Sequence, residues 1–284
     1  MRQARIPPGR YSGLGSEALK LPAFVRKDFL VAWSYRAAFF SDILNLVAQI
    51  TLFYFVSLMV DPSVIPSYGG QPTSYIAFVS VGIALGAFLA LGLGRVATAM
   101  RNEQLMGTLE VLYMTPTAPL TLQLGLAVYD LVYVPIRTFV FLAAVFLVYD
   151  VSVAVGGIAP AALILALFIP FVWGIGMISA AGVMTFRRGA GILGLGALAL
   201  NITSGAYFPL TLFPEWVQTL AKINPLAAAY EGTRSALLGG AAWSELTSEM
   251  LILGAAAILS LSLGSAALGV ALRRERAKGT LGRY

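Results

Sequence analysis

A chain of 284 residues with 58% hydrophobic residues, 11% charged residues and a mean hydropathy of +0.82 has too little polar surface to coat a water-soluble globule. Cys and His are both absent, which excludes disulfides, thiol nucleophiles, imidazole bases and the commonest zinc ligands, so no metal site or catalytic residue is expected. The net charge of +6 would point to nucleic acid in a soluble protein, but basic loops of a membrane protein follow from topology, and no nucleic-acid partner is expected.

The sequence predicts an all-α, polytopic membrane protein. Six windows suit a hydrocarbon layer roughly 30 Å thick, crossed by about 20 helical residues. They are Ala37 to Val60, Tyr75 to Ala99, Leu120 to Tyr149, Pro160 to Phe186, Gly189 to Ser204 and Ser248 to Leu272. Lys and Arg gather before the first window, around Arg95 and Arg101, at Arg187 and Arg188, and after the last window. Lys222 and Arg234 fall on the opposite side, and Arg137 lies within a span. The positive-inside rule then places both termini in the cytoplasm.

Residues 1–15 are basic and rich in Gly and Pro, without the apolar core of a cleavable signal, and read as a flexible cytoplasmic tail. Over 16–36, Ser16 can cap a helix and Pro22 suits its first turn, while Leu21, Val25, Phe29 and Trp33 recur at spacing four. Lys20, Arg26, Lys27 and Arg36 offer cations to anionic headgroups, which predicts an interfacial helix; the alternative is a plain extension of the first span. In that span Asp42, Asn45 and Gln49 share one helical face and are a candidate lining for a translocation path. Solvation of Asp42 at the headgroups, with the amides bonded to a neighbouring helix, explains the stripe equally well.

The segment Asp61 to Ser74, rich in Pro and Gly and without a basic residue, fits an external loop. The second span carries Gly82, Gly86, Ala90, Gly94 and Thr98 at every fourth position, a spacing that lets helices approach closely. Next comes a charged island, Arg101 to Pro119, reading RNEQLMGTLEVLYMTPTAP. Leu105, Met106, Leu109, Leu112 and Tyr113 form one helical stripe, with Glu103, Gln104, Thr108 and Glu110 largely off it. The segment is too short and too charged to span, and Pro116 and Pro119 end it. Periodicity alone makes it one interfacial helix among several.

In the third span Asp130 and Arg137 are seven apart, nearly on one face, and read as neutralised by neighbouring helices rather than as a proton relay. The fourth span holds Pro170, Gly174, Gly176 and Gly182, which predicts a kink or close packing. The fifth offers only about 16 residues, roughly 24 Å of helix, and should stop short of the far surface. The following segment, 205–240, contains a stripe of Trp216, Val217, Leu220 and Ile223, a break at Asn224 and Pro225, and a second apolar stretch. Two short helices that dip into the outer leaflet and return would satisfy their backbones internally; a surface-packed amphipathic loop is the alternative. Residues 273–284 form a basic cytoplasmic tail.

Three features coincide: six spans with cytoplasmic ends, an island reading E-x-x-x-G-T-L-E-x-L-x-x-T-P, and a late S-G-x-x-F-P-L…P-x-W-x-Q…N-P segment. Together they resemble the permease subunits of ABC-2 type ATP-binding cassette transporters. The resemblance implies that the six-helix domain occupies 37–272 and that the island, at 101–116, is a cytoplasmic coupling helix docking on an ATP-binding cassette subunit. Glu103, Gly107, Thr108, Leu109, Glu110, Thr115 and Pro116 match that element. Gly205, Phe208, Pro209, Leu210, Pro214, Trp216, Asn224 and Pro225 match the outer re-entrant helices. It further implies two permease subunits with a path between them, two ATPase subunits that hold ATP and Mg, a lipid environment, and the plasma (inner) membrane of a prokaryote.

The chain contains no G-x-x-x-x-G-K-[ST] phosphate loop and no Gly-Lys pair, so a separate polypeptide must supply ATP-derived energy. The leading expectation is export of a hydrophobic or amphipathic cargo such as a drug, lipid or peptide, with a lipid-linked polysaccharide as the alternative within the family. An ion-gradient-driven transporter would rest on Asp42, Asp130 and Arg137, without an evident inverted repeat. A membrane-embedded enzyme would need a cluster of reactive groups that these scattered carboxylates do not provide.

Overall fold

The computed structural model describes residues 20–34, 36–106, 119–185 and 189–278. Among them every regular element is helical and no strand forms, as the composition predicts. In chain order the helices are α1 (Leu21–Ser34), α2 (Arg36–Ser57), α3 (Tyr75–Leu105), α4 (Pro119–Val148), α5 (Ile158–Thr185), α6 (Gly189–Ile202), α7 (Glu215–Ala221), α8 (Pro225–Gly239) and α9 (Thr247–Lys278). Within the described residues α5 and α9 are long and apolar enough to cross a bilayer, and shorter apolar stretches run over Leu44–Ser57, Tyr75–Leu89 and Val132–Val148.

Helix α5 is the centre of the bundle, packed against α9, α3 and α8. Small residues permit its contacts. A Cβ on Gly174 would overlap Ser260 of α9, and one on Gly264 would overlap the Gly174 carbonyl, so these two helices meet backbone to backbone. Gly92 likewise admits Val172 of α5 against α3. The fully buried Ile164 and Phe168 occupy the middle of this core, with Phe88 of α3 edge-on to Phe168 at 6.1 Å. Pro170 lies inside α5 without ending it.

The stripe of small residues on α3 serves packing over its first half. Gly82 meets the Ala206 carbonyl and Gly86 faces the Tyr230 hydroxyl, whereas Gly94 has no neighbour within 4 Å and Thr98 is exposed. Past Ala99 the helix does not stop: α3 runs unbroken through Arg101 to Leu105, so the first residues of the charged island are its last turns. Residues 107–118 of the island, including Gly107, Thr108, Leu109, Glu110, Thr115 and Pro116, lie outside the described residues, as do 1–19 and 279–284.

Helix α1 carries Pro22 in its first turn and is a separate element from α2. It packs on the start of α4, where the ring of Phe24 fills the space left by Gly125. Helix α1 therefore lies beside the point at which the island joins α4. Helix α6 has 14 residues, about 21 Å of rise, in line with the short fifth window.

Candidate functional site: a buried arginine beneath a broken helix pair

The segment after α6 folds back against the bundle, through a break at Asn224. Pro225 occupies the first turn of α8, and the Asn224 side chain accepts from the Leu226 N–H at 2.9 Å. The Asn224 amide also donates to the Leu200 carbonyl and to Thr203 Oγ1, both at 2.9 Å. One residue therefore caps α8 and ties it to the end of α6. Gly240, at φ +67, closes α8 in the left-handed conformation.

Helix α7 turns its apolar residues both ways. Val217 and Ala221 are buried, while Trp216 and Leu220, with Ile223 just past its end, remain exposed, as on a helix that lies in an apolar or interfacial layer. Upstream, Gly205 bends the chain at φ +69 over Leu210, Phe208 stays half-exposed and Pro209 is buried. Pro214 precedes α7, and Gln218 Nε2 donates to the Phe213 carbonyl at 2.8 Å. Tyr207 stacks on Phe53 of α2 with ring centroids 5.2 Å apart, and the Tyr75 hydroxyl of α3 donates to the Tyr207 carbonyl at 3.0 Å. The bend thus locks α2 and α3 together.

Beneath it is a residue that the sequence reading counted only as a cation on the side opposite the basic termini. Arg234 of α8 is 1% exposed and donates through Nε to the Phe78 carbonyl at 3.0 Å, through Nη1 to the Gly205 carbonyl at 3.0 Å and through Nη2 to the Ala206 carbonyl at 2.8 Å. Its guanidinium carbon sits 3.5 Å from the centre of the Phe78 ring, a cation–π contact. Gly82 makes this possible, because any side chain there would strike the Ala206 carbonyl that the guanidinium grips. Glu231, one turn away on α8, places Oε2 4.0 Å from Nη1 and accepts from the Tyr68 hydroxyl at 3.0 Å. Burial, followed by the Glu231 charge, pushes the Tyr68 phenol well above its ordinary range, so it remains a donor. In the same loop the Ser63 backbone N–H, then its hydroxyl, holds the Asp61 carboxyl below its usual value. The signal that could have found Arg234 is a lone cation within the apolar helical run from Leu226 to Leu238.

The other predicted residues are less closely gathered. Asp42, Asn45 and Gln49 all lie on α2, with Asn45 exposed and Gln49 half-buried. Glu103 lies in the last turns of α3, far along that helix from the arginine hub. Arg137 is half-buried on α4.

Among the described residues all regular structure is helical, and two of the helices that enclose the buried polar hub are long and apolar enough to cross a bilayer. The family model of the ABC-2 type transporter matches residues 20–238, and the chain belongs to that family. It is therefore the membrane component of an ABC-type transporter, a class that works with an ATP-binding cassette subunit and is not itself the catalyst. A comparison with curated proteins finds no match.

Proposed function

We propose that this chain is the permease subunit of an ATP-driven exporter of hydrophobic or amphipathic molecules. It crosses a prokaryotic plasma (inner) membrane six times with both ends in the cytoplasm, pairs with a second copy of itself, and takes force from two ATPase subunits that bind ATP and Mg. The observation that carries this reading is the continuity of α3. One helix of 31 residues, about 46 Å long, joins the arginine hub at one end to the island at the other. A displacement of the island then reaches the loops around α8 without crossing a joint. Helix α1, seated on the first turns of α4, braces the island's other exit.

Exposed apolar residues on α2 (Leu44, Val47, Phe55) and α6 (Leu195, Leu198) supply a face for a second copy, with Asp42, Asn45 and Gln49 on the same helix α2 near the path between copies. Within the island, Glu103 and Glu110 present charge to the ATPase, and Leu109 and Leu112 seat the island in its cleft. The test is Glu110→Lys. Transport and cargo-stimulated ATP hydrolysis by the assembled complex should fall while membrane insertion is retained; unchanged transport in a fully assembled complex would refute the coupling role.

A further inference from the structure

Between α4, α5 and α8 lies a cavity of about 550 Å³ that belongs neither to the arginine hub nor to the proposed path. One wall is a face of α4 running from Pro135 through Leu142 and Phe146 to Leu147, about 18 Å of rise, with Asp150 just beyond the end of the helix. Ala162 and Leu165 of α5 form the second wall, and Leu85 of α3 closes the floor. The cavity opens sideways along its length, because Phe139 and Leu147 on its rim are 71% and 83% exposed. Its length is of the order of the acyl layer of one leaflet, half of the roughly 30 Å hydrocarbon core.

One polar group inside has no partner. Thr233 of α8 is 5% exposed, lines the cavity, and its Oγ1 makes no hydrogen bond. A buried hydroxyl without a partner is disfavoured, and a ligand carbonyl that accepts from it relieves that cost. At the loop end of the groove, Asp150 supplies a carboxylate at the level where α4 leaves the bundle.

We infer that this groove is a lateral binding site for one acyl chain of a zwitterionic glycerophospholipid, whose ester carbonyl accepts from the Thr233 hydroxyl and whose ammonium lies toward Asp150. The sideways opening selects a molecule already dissolved in the bilayer. The carboxylate selects against an anionic headgroup. The site needs only that the chain lie in a membrane, so it stands or falls independently of coupling to an ATPase.

The experiment uses the full chain in nanodiscs of phosphatidylethanolamine carrying a fraction of the same lipid with a diazirine on its acyl chain, followed by peptide mapping of the photo-adducts. Phe139, Leu142 and Phe146 should be labelled more densely than Leu251, Ile258 and Leu259, which form an exposed face of α9. Thr233→Val should lower the groove label roughly fivefold, the effect of one neutral hydrogen bond. Ala162→Phe, which fills the groove from an exposed position, should abolish it. Unchanged α9 labelling and monodisperse elution certify that both variants are folded. Equal labelling of groove and α9 face, unaffected by Ala162→Phe, would identify ordinary annular lipid and overturn the inference. So would labelling of the groove by a diazirine alkylamine but not by the phospholipid, which would make it a cargo site.

Discussion

Arg234 holds three backbone carbonyls drawn from two separate segments, α3 and the bend after α6, and no other cation type fits that arrangement. The planar fork of guanidinium N–H groups reaches Phe78, Gly205 and Ala206 at once while its face rests on the Phe78 ring. Arg234→Met would leave the Gly205 and Ala206 carbonyls of the bend buried and unpaired, at about 1–3 kcal/mol each, so the thermal midpoint of the detergent-solubilised protein should fall sharply. Arg234→Lys should fall between the two, since a compact ammonium cannot span the carbonyls. Tyr68→Phe should cost less, about 1 kcal/mol, because Glu231 is 46% exposed and water replaces the lost donor. The pH dependence has a definite sign. A phenol raised in the folded state favours folding below its ordinary value of 10.0 and loses that contribution as pH rises further. Unfolding midpoints should therefore be flat to pH 9 and decline above 10, and Tyr68→Phe should remove part of the decline. The lone cation in an apolar run was the hub's one trace in the sequence; its partners were not legible, because they are main-chain atoms 28 to 156 residues away from Arg234 that leave no side-chain signature.

The break between α7 and α8 was legible, because an Asn cap followed by Pro in the first turn is local chemistry. The end of α3 was not. Charged residues from Arg101 to Gln104 signal a change of solvent, yet Arg, Glu and Gln are good helix formers, and nothing there stops the hydrogen-bond ladder. The stripe of small residues was half legible for a similar reason: spacing marks a face, but only the partner decides which part of it is covered, and α8 reaches Gly82 and Gly86 and no further. Asn224 gives the element-scale test, since its carbonyl caps α8 while its amide holds α6. Asn224→Asp keeps the cap and loses both donors; Asn224→Ala loses all of them. The Ala variant should be destabilised by about 1–2 kcal/mol. If the tie to α6 matters for transport, the Asp variant should lose transport nearly as fully as the Ala variant while remaining closer to wild type in thermal stability. Normal transport by Asn224→Asp would reduce the residue to a cap.

At the scale of the molecule, the proposed coupling requires force from the island to travel toward α8 along a helix that is packed over its first half and open at Gly94 and Thr98. Gly94 sits in the open part, exposed and with no neighbour within 4 Å, so substitutions there act on the helix and on little else. Gly94→Ala removes backbone freedom and should stiffen α3, favouring the helix by about 1 kcal/mol. Gly94→Pro deletes one N–H, clashes with the carbonyl four residues before it, and kinks the helix at a cost of about 3 kcal/mol. The arginine hub and the α3–α5 contact at Gly92 lie on the loop side of that kink, and Glu103 on the island side. If α3 is the transmitting element, Gly94→Pro should leave ATP hydrolysis by the assembled complex in place while cargo moved per ATP falls by roughly tenfold, a loss of about 1.4 kcal/mol in coupling. Gly94→Ala should match or exceed wild type in the same measurement. Undiminished cargo per ATP in the proline variant, with the complex intact, would mean that force enters through α4 or α1 instead, and would move attention to the contact between Phe24 and Gly125.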